Sequence, residues 1–240
     1  MRSYAHKMSA KIKINVFLPC KKNSTRVKNK NTRKFASEGF GLLKIKIFQL
    51  LKAKQINKIY LSTNDEKIKK FVKKINSKKI VLHSRKDFSL STNNTSNNQL
   101  VSHVLDVVPT DHILWTHVTS PFVNSKIYDD AIKKYKNILK KGYDSMMSIT
   151  KLKGFIWDSK KALNYNYLKV KWPKTQDIKP LNKINSAIFI SSRKNYLKYN
   201  NRIGKKPFMY ELKKYYGLDI DDVEDFYLAE FLFKNRKKYK

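Results

Sequence analysis

The chain has 240 residues, 41% apolar and 12% aromatic, enough to bury one substantial core, which excludes disorder throughout. It has no run of 18 apolar residues that would make a membrane-spanning helix. The formal charge of +35 raises nucleic-acid binding, but only seven of the 53 basic residues are arginine and the lysines run from end to end, a pattern of global composition that predicts non-specific attraction to polyanions rather than a surface built to fork phosphates.

Residues 1–11 read as an extension ahead of a single domain over 12–236. Met1 to Met8 show no separate apolar segment with a small-residue cleavage site, so no secretion signal is expected. The single cysteine, Cys20, excludes an internal disulfide and any multi-cysteine metal site. A soluble cytoplasmic protein is the expectation.

The first half alternates short apolar runs with helical spacing, the pattern of an α/β domain with a largely parallel sheet. Ile12–Pro19 reads as the first strand and Cys20–Lys34 as a polar loop. Leu42–Lys54 follows as a helix with Leu43, Ile47, Leu50 and Leu51 on one face. Lys58–Thr63 is a strand, Asp65–Ile75 a helix capped by Asn64, and Lys79–His83 a third strand. The polar run Ser89–Asn98 leads into a helix over Gln99–Val107. His112–Val118 is a fourth strand, Ser125–Lys141 a helix and Ser145–Lys151 a strand. From Phe155 to Ile184 the rhythm breaks: there is no long helix, but Trp157, Tyr165, Tyr167, Trp172 and two prolines suggest an inserted arm, bounded at 152–184. Ile188–Ser191 is then a strand, Arg193–Tyr199 a helix and Val223–Lys234 the last helix.

In open α/β sheets ligands sit beyond the carboxyl ends of strands, which makes the loop after the first strand the first place to look. It carries Lys21, Lys22, Ser24, Thr25, Arg26, Lys28, Lys30, Asn31 and Arg33. Cations and hydroxyls at a strand end suit a triphosphate; composition alone favours a solvated basic loop. Asp219 and Asp221 stand two apart, on one face if extended. Such a pair suits magnesium, which takes one or two carboxylates and keeps waters and phosphates as its other ligands. Capping of the helix near Val223 by Asp221 or Asp222 is the alternative. Asp222, Glu224 and Asp225 fit capping and surface. Arg85, just past the third strand, is either a site residue or a surface arginine, and His117 has no second histidine at metal-ligand spacing.

Leu18-Pro19-Cys20-Lys21-Lys22-Asn23-Ser24-Thr25-Arg26, closing on Lys30-Asn31, resembles the first motif of the CMP-sugar synthetases, cytidylyltransferases acting on acylneuraminate and related sugar acids. Lys21 stands where that family has arginine and Asn23 where it has glycine, a change asparagine tolerates because it enters the left-handed region more readily than other side chains. The resemblance continues in order. Ser62-Thr63-Asn64-Asp65 is similar to Ser-Thr-Asp-Asp, and Arg85 with the loop containing Ser91 and Ser96 to the arginine and serines that contact the nucleotide. Leu114 to Pro121 resembles Leu-Gln-Pro-Thr-Ser-Pro, with His117 in the glutamine's place. Asn185-Ser186-Ala187-Ile188-Phe189 resembles Asn-Gly-Ala-Ile-Tyr, and Asp219-Ile220-Asp221 the family's Asp-Ile-Asp.

The resemblance implies a three-layer α/β/α, Rossmann-like nucleotide-diphospho-sugar transferase fold with an inserted dimerisation arm. It implies transfer of CMP from CTP to the anomeric hydroxyl of a nonulosonic, sialic-type sugar acid, with release of pyrophosphate. Asp219 and Asp221 would hold Mg2+; Lys21 and Lys30 would stabilise the triphosphate and leaving group; Ser24 and Asn31 would hold phosphate or ribose; Arg85 and Ser91 would fix the nucleotide. Asn185, and Lys174 with Gln176 on the arm, are the candidates for contact with the sugar acid, and His117 for contact with the sugar acid or the nucleotide. No residue stands out as a general base. A homodimer is implied, with no membrane partner. Two other readings are a basic nucleic-acid-binding protein on a degenerate version of this fold, and a nucleotidyltransferase of different base or sugar specificity.

Overall fold

A computed structural model describes residues 12–22, 24–85 and 97–239. In chain order the elements are β1 (Ile14–Cys20), α1 (Gly41–Lys52), β2 (Ile56–Thr63), α2 (Glu66–Ile75), β3 (Ile80–Ser84), α3 (Asn97–Val107), β4 (His112–Trp115), α4 (Ser125–Leu139), β5 (Ser145–Leu152), β6 (Leu181–Ser192), α5 (Arg193–Tyr199), β7 (Pro207–Glu211) and α6 (Val223–Lys234). The seven strands make one sheet in the order β3-β2-β1-β4-β6-β5-β7. Every pairing is parallel except those of β6, which runs against both β4 and β5.

Strand alternation divides the core in two. Ile14, Val16, Leu18 and Cys20 of β1 pack with Leu42 and Ile47 of α1, Ile68 of α2, Ile132 of α4 and Phe226 of α6. Phe17, between them in sequence, turns to the other face and packs with Val101 and Val104 of α3 and Tyr196 of α5. Both faces of the sheet are therefore covered, which is the three-layer α/β/α architecture expected.

Four local differences have physical causes. The cap of α2 is Asp65, whose carboxylate accepts from the Lys67 N–H at 2.9 Å, not Asn64; the Asn64 side chain instead accepts from the Lys22 N–H at 2.8 Å and braces the loop after β1. β4 ends at Trp115, because Thr116 turns its hydroxyl to Tyr128 and to the Ala187 carbonyl, both at 2.7 Å, and the chain leaves the sheet. β6 begins at Leu181, paired with Leu152, so the arm occupies 153–180. Its first residues, Asn182 to Ile184, are exposed and mostly polar, which hid the strand. β7 was not foreseen, being a five-residue, half-exposed edge strand beginning with proline.

A register shift between Met147 and Ile149 bulges β5 against β6, and opposite it Ser186 adopts φ 56°. That left-handed backbone is strained for any residue with a Cβ. Ser186→Gly is expected to stabilise the fold by about 1 kcal/mol, read as a raised urea midpoint at unchanged slope. A lowered midpoint would overturn the account of strain.

Candidate active site

The strand order turns at β1, whose successor β2 lies on one side and β4 on the other. Connections leave the carboxyl ends of these neighbours in opposite directions, and the gap is where α/β sheets bind ligands. The loop after β1 is closed on itself by hydrogen bonds, while Lys22, Thr25, Arg26 and Lys28 stay exposed. The Lys30 N–H donates to the Ser24 hydroxyl at 2.9 Å and to the Val27 carbonyl at 3.1 Å, and Val27 is buried. The Asn31 amide donates to the Lys21 carbonyl at 3.0 Å, while the Asn31 carbonyl accepts from the Leu43 N–H at the start of α1. Ser24 and Asn31 thus shape the loop and set Lys21, half-buried, at its mouth.

Lys30 is the centre of the arrangement. Its side chain is buried and its ammonium donates to the Ile220 carbonyl at 2.6 Å, a contact across 190 residues of sequence. Ile220 lies between Asp219 and Asp221, so the first loop and the Asp-Ile-Asp segment are clasped together. Burial lowers the Lys30 pKa, with Arg26 adding to the effect and Asp219 and Asp221 opposing it. Asp221 is exposed and pairs with Arg26 at 3.0 Å. Asp219 is largely enclosed, and its Oδ1 is buried with no hydrogen-bond partner among the described residues. Burial pushes the Asp219 carboxyl above the usual aspartate range; Asp221 adds to this, and the Thr119 hydroxyl and Lys30 pull it back. The Ile220 N–H donates to the Thr119 carbonyl at 3.0 Å, which fixes the segment against the turn after β4.

The helix-capping role falls one residue later. Asp222 caps α6, accepting from the Asp225 N–H at 2.8 Å, and Asp225 accepts in return from the Asp221 and Asp222 N–H groups. Asp219 and Asp221 are therefore not needed as caps. A buried carboxylate oxygen without a partner, beside a second carboxylate, is a donor set that fits a hard divalent cation. No third histidine, cysteine or acid joins them into a larger cluster among the described residues.

The other predicted residues fall in several places. His117 lies just beyond β4, its Nε2 3.5 Å from the Arg202 guanidinium. Burial, with Arg202, Lys46 and Lys30 around it, drives its pKa down to about 3, so the ring is neutral. Arg85 is buried, not a surface arginine: its guanidinium donates to the Ser62 hydroxyl and carbonyl, both at 3.3 Å. Ser91 and Ser96 lie outside the described residues. Lys174 and Gln176 are exposed on the arm, and neither is hydrogen-bonded to the Lys30–Asp219 cluster. Asn185, a candidate for the sugar acid, lies within the sheet. It is buried, its carbonyl oxygen accepts from the Ser148 hydroxyl at 2.6 Å, and its amide donates to Thr150 at 3.0 Å, so it is occupied in holding the β5–β6 bulge. Gly217 allows this, since a Cβ there would fall 2.6 Å from the Asn185 amide nitrogen.

Two residues of the site escaped the sequence reading. Lys46 is fully buried on α1, donating to the Ser120 carbonyl at 2.8 Å and the Tyr128 hydroxyl at 2.7 Å beneath the turn that carries Thr119. Its signal was a lysine at helical spacing within the apolar stripe of Leu43, Ile47 and Leu50. Arg202 lies in an irregular loop after α5, where no pattern marked it. Cys20 is buried and its thiol is pushed up to about 12, which leaves it no role as a nucleophile at neutral pH. An open cavity of about 920 Å³ lies at the opposite, amino-terminal end of the strands, lined by Lys13, Asp111, His112 and Arg193 among others. None of the candidate site residues lines it, and Arg193 there donates to the Leu105 and Val108 carbonyls. No helix among the described residues is long and apolar enough to cross a membrane.

A family model described as cytidylyltransferase matches residues 16–238. A curated relative, an N-acylneuraminate cytidylyltransferase of Escherichia coli O18:K1:H7, is 25% identical over 238 residues, which is 95% of this chain and 54% of the relative. The chain thus spans about half the length of that protein. Among solved structures, a CMP:2-keto-3-deoxy-manno-octonic acid synthetase complexed with CTP superposes with a TM-score of 0.63 at 12% identity, covering 93% of this chain and 99% of the other. A 4-diphosphocytidyl-2C-methyl-D-erythritol synthase from Anaerococcus prevotii gives 0.61 at 15%, covering 93% and 96%. At these identities the structural likeness is one of fold.

Proposed function

This chain belongs to the cytidylyltransferase family, and from that premise we propose that it transfers CMP from CTP to the anomeric hydroxyl of a nonulosonic sugar acid, releasing pyrophosphate. The observation that carries the reading is the clasp of the Lys30 ammonium on the Ile220 carbonyl, between Asp219 and Asp221. It puts a buried cation and two carboxylates at one strand-end crevice, which is the charge arrangement phosphoryl chemistry needs.

The new bond forms between the sugar's anomeric oxygen and the α-phosphorus, and the bond that breaks joins that phosphorus to the bridging oxygen of pyrophosphate. Lys30 and Lys21 stabilise charge on the triphosphate and on the leaving group. The loop closed by Ser24 and Asn31 holds Lys30 and Lys21 in place before substrate arrives, and Arg85, anchored on Ser62, supports the nucleotide side. Asp219 and Asp221 would hold Mg2+, which when bound supplies a Lewis acid for phosphate oxygens. The arm carries exposed Leu168 and Trp172, 84% and 78% accessible, and these apolar surfaces are what a second copy would cover.

The test is thermal stabilisation by CTP, ATP, GTP and UTP, with magnesium and with chelator, for the wild type and Asp221→Ala. At a hundred times its dissociation constant CTP should add about 2.7 kcal/mol, selectively, only with magnesium, and not in the variant. Equal responses to all four nucleotides, insensitive to chelator and to the substitution, would refute the reading. Binding to DNA that falls linearly with salt on a log–log scale would then point to the polyanion alternative.

A further inference from the structure

The guanidinium of Arg202 stands out among the cations of this chain. It stacks over the Phe189 ring, 3.9 Å from the centroid, and lies 5.1 Å from the centroid of Trp115. Its one hydrogen bond to a described residue is the long contact with His117 Nε2, and no described carboxylate lies within ion-pairing distance. Other arginines are engaged: Arg26 pairs with Asp221, Arg193 donates to two α3 carbonyls and Arg236 donates to the Phe233 carbonyl. A half-buried guanidinium without a counter-ion is costly unless something anionic arrives to meet it.

The loop that carries Arg202 is built to hold it still. The Asp144 carboxylate accepts from the Lys205 and Lys206 N–H groups at 2.7 and 3.0 Å, and the Gly204 N–H donates to the Ser145 hydroxyl at 2.9 Å. Gly204 is required there, since a Cβ would fall 2.4 Å from an Asp144 carboxylate oxygen. Stacking fixes the guanidinium plane and leaves its N–H edge for an acceptor lying in that plane, which is the geometry that a carboxylate matches. Among the described residues only His117 hydrogen-bonds that group, through a neutral ring that leaves the charge uncompensated.

The position separates this group from the phosphate side. Trp115 and Phe189 belong to the core face covered by α3 and α5, whereas Lys30 and Arg26 come from the loop after β1 and sit against Asp219 and Asp221. Asp219 lies within electrostatic reach of both Lys30 and Arg202.

We propose that Arg202, held by Phe189 and Trp115 and flanked by His117, is the seat of the acceptor sugar's carboxylate. The proposal rests on the reading that the acceptor is a sugar acid, and gives its charged group a place within electrostatic reach of Asp219. Lys174, exposed on the arm, is then not the residue that fixes that carboxylate.

The test uses the full chain, with N-acetylneuraminate, 2-keto-3-deoxy-manno-octonate and pyruvate as probes, in wild type, Arg202→Lys and Arg202→Met. Binding is read by calorimetry without nucleotide, turnover by pyrophosphate release, and nucleotide binding by stabilisation with CTP. The expected result is that at least one sugar acid binds the wild type, that Arg202→Met weakens its binding or raises its KM roughly a hundredfold, and that Arg202→Lys does so about tenfold. Pyruvate, a carboxylate without the sugar, should compete weakly. The KM and stabilisation for CTP should stay within about twofold, since Arg202 serves the acceptor only.

Unchanged affinity for a bound acid in Arg202→Met overturns the proposal, as does a rise in the CTP KM in place of the acid KM, which would make Arg202 a phosphate contact. Failure of all three acids to bind the wild type at millimolar concentration also overturns it. Loss of CTP selectivity in the wild type is a separate result: it refutes the nucleotide reading, while acid binding that depends on Arg202 would still stand.

Discussion

Lys30→Met is expected to lower kcat/KM for pyrophosphate release by about 10²- to 10³-fold, the scale of removing one preorganised charge donor from a transition state. Methionine keeps the unbranched stem and much of the volume, so the loop after β1, closed by the Ser24 and Val27 bonds to the Lys30 backbone N–H, has no reason to open. The loss falls on the ammonium alone. With it gone, the Ile220 carbonyl loses its 2.6 Å donor and Asp219 loses a cation that holds its carboxyl down. Asp219 then moves further above the ordinary aspartate range, and the acid limb of the pH–rate profile moves to higher pH. Lys30→Arg restores charge but adds bulk at a buried position, and recovers only part of the rate. An unshifted acid limb alongside an unchanged kcat/KM would show that the clasp holds the chain together and serves no step of the reaction.

Short apolar runs and helical spacing made most of the sheet and helices legible, because a largely parallel sheet covered on both faces leaves continuous apolar strands, and the helices that cover it a 3.6-residue pattern. The bonds at Lys30 and Asp219 were legible only in part. The motif order put Lys30 and the two aspartates in one reading, but nothing in the chain states that an ammonium reaches a carbonyl 190 residues away. Asn185 shows how one motif position can fit two roles. Its motif matched, yet an asparagine beside a strained Ser186 is as suited to filling a bulge as to facing a substrate, and the choice depends on Ser148 and Thr150, neither adjacent in sequence. Arg202 was invisible because the role proposed for it rests on what it stacks on, Phe189 and Trp115, and on the lack of a carboxylate partner among the described residues. Composition worked against it too: in a chain with 53 basic residues, one more cation carries no signal.

Lys46 tests whether the fold itself keeps a titrating charge beneath the site. Its ammonium is fully buried, donating to the Ser120 carbonyl, the Tyr128 hydroxyl and, at 3.5 Å, the Val123 carbonyl, and burial drives its pKa from 10.5 to about 7. In the unfolded chain this lysine holds its proton up to about pH 10.5, whereas in the folded protein it gives the proton up above about pH 7. Between those values the unfolded state binds more protons, so this group makes the fold more stable as pH rises, with a slope of at most about 1.4 kcal/mol per pH unit. Below pH 7 both states are protonated and the cost of burying the charge is felt in full.

Lys46→Met removes the titration and leaves the Ser120 carbonyl and the Tyr128 hydroxyl short of a partner, at a cost of about 1–3 kcal/mol. The destabilisation should therefore be small near pH 6, where the wild type itself carries a buried charge, and grow toward pH 9, where a neutral amine still donates. Urea midpoints of the two proteins across that range give the difference directly, and the other lysines, common to both, cancel. The Ser120 turn is also the one whose Thr119 carbonyl holds the Ile220 N–H, so CTP stabilisation in Lys46→Met should weaken alongside. A difference between the two proteins that does not change with pH would mean that the Ser120 and Val123 carbonyls keep Lys46 charged throughout, and would overturn the account of its titration.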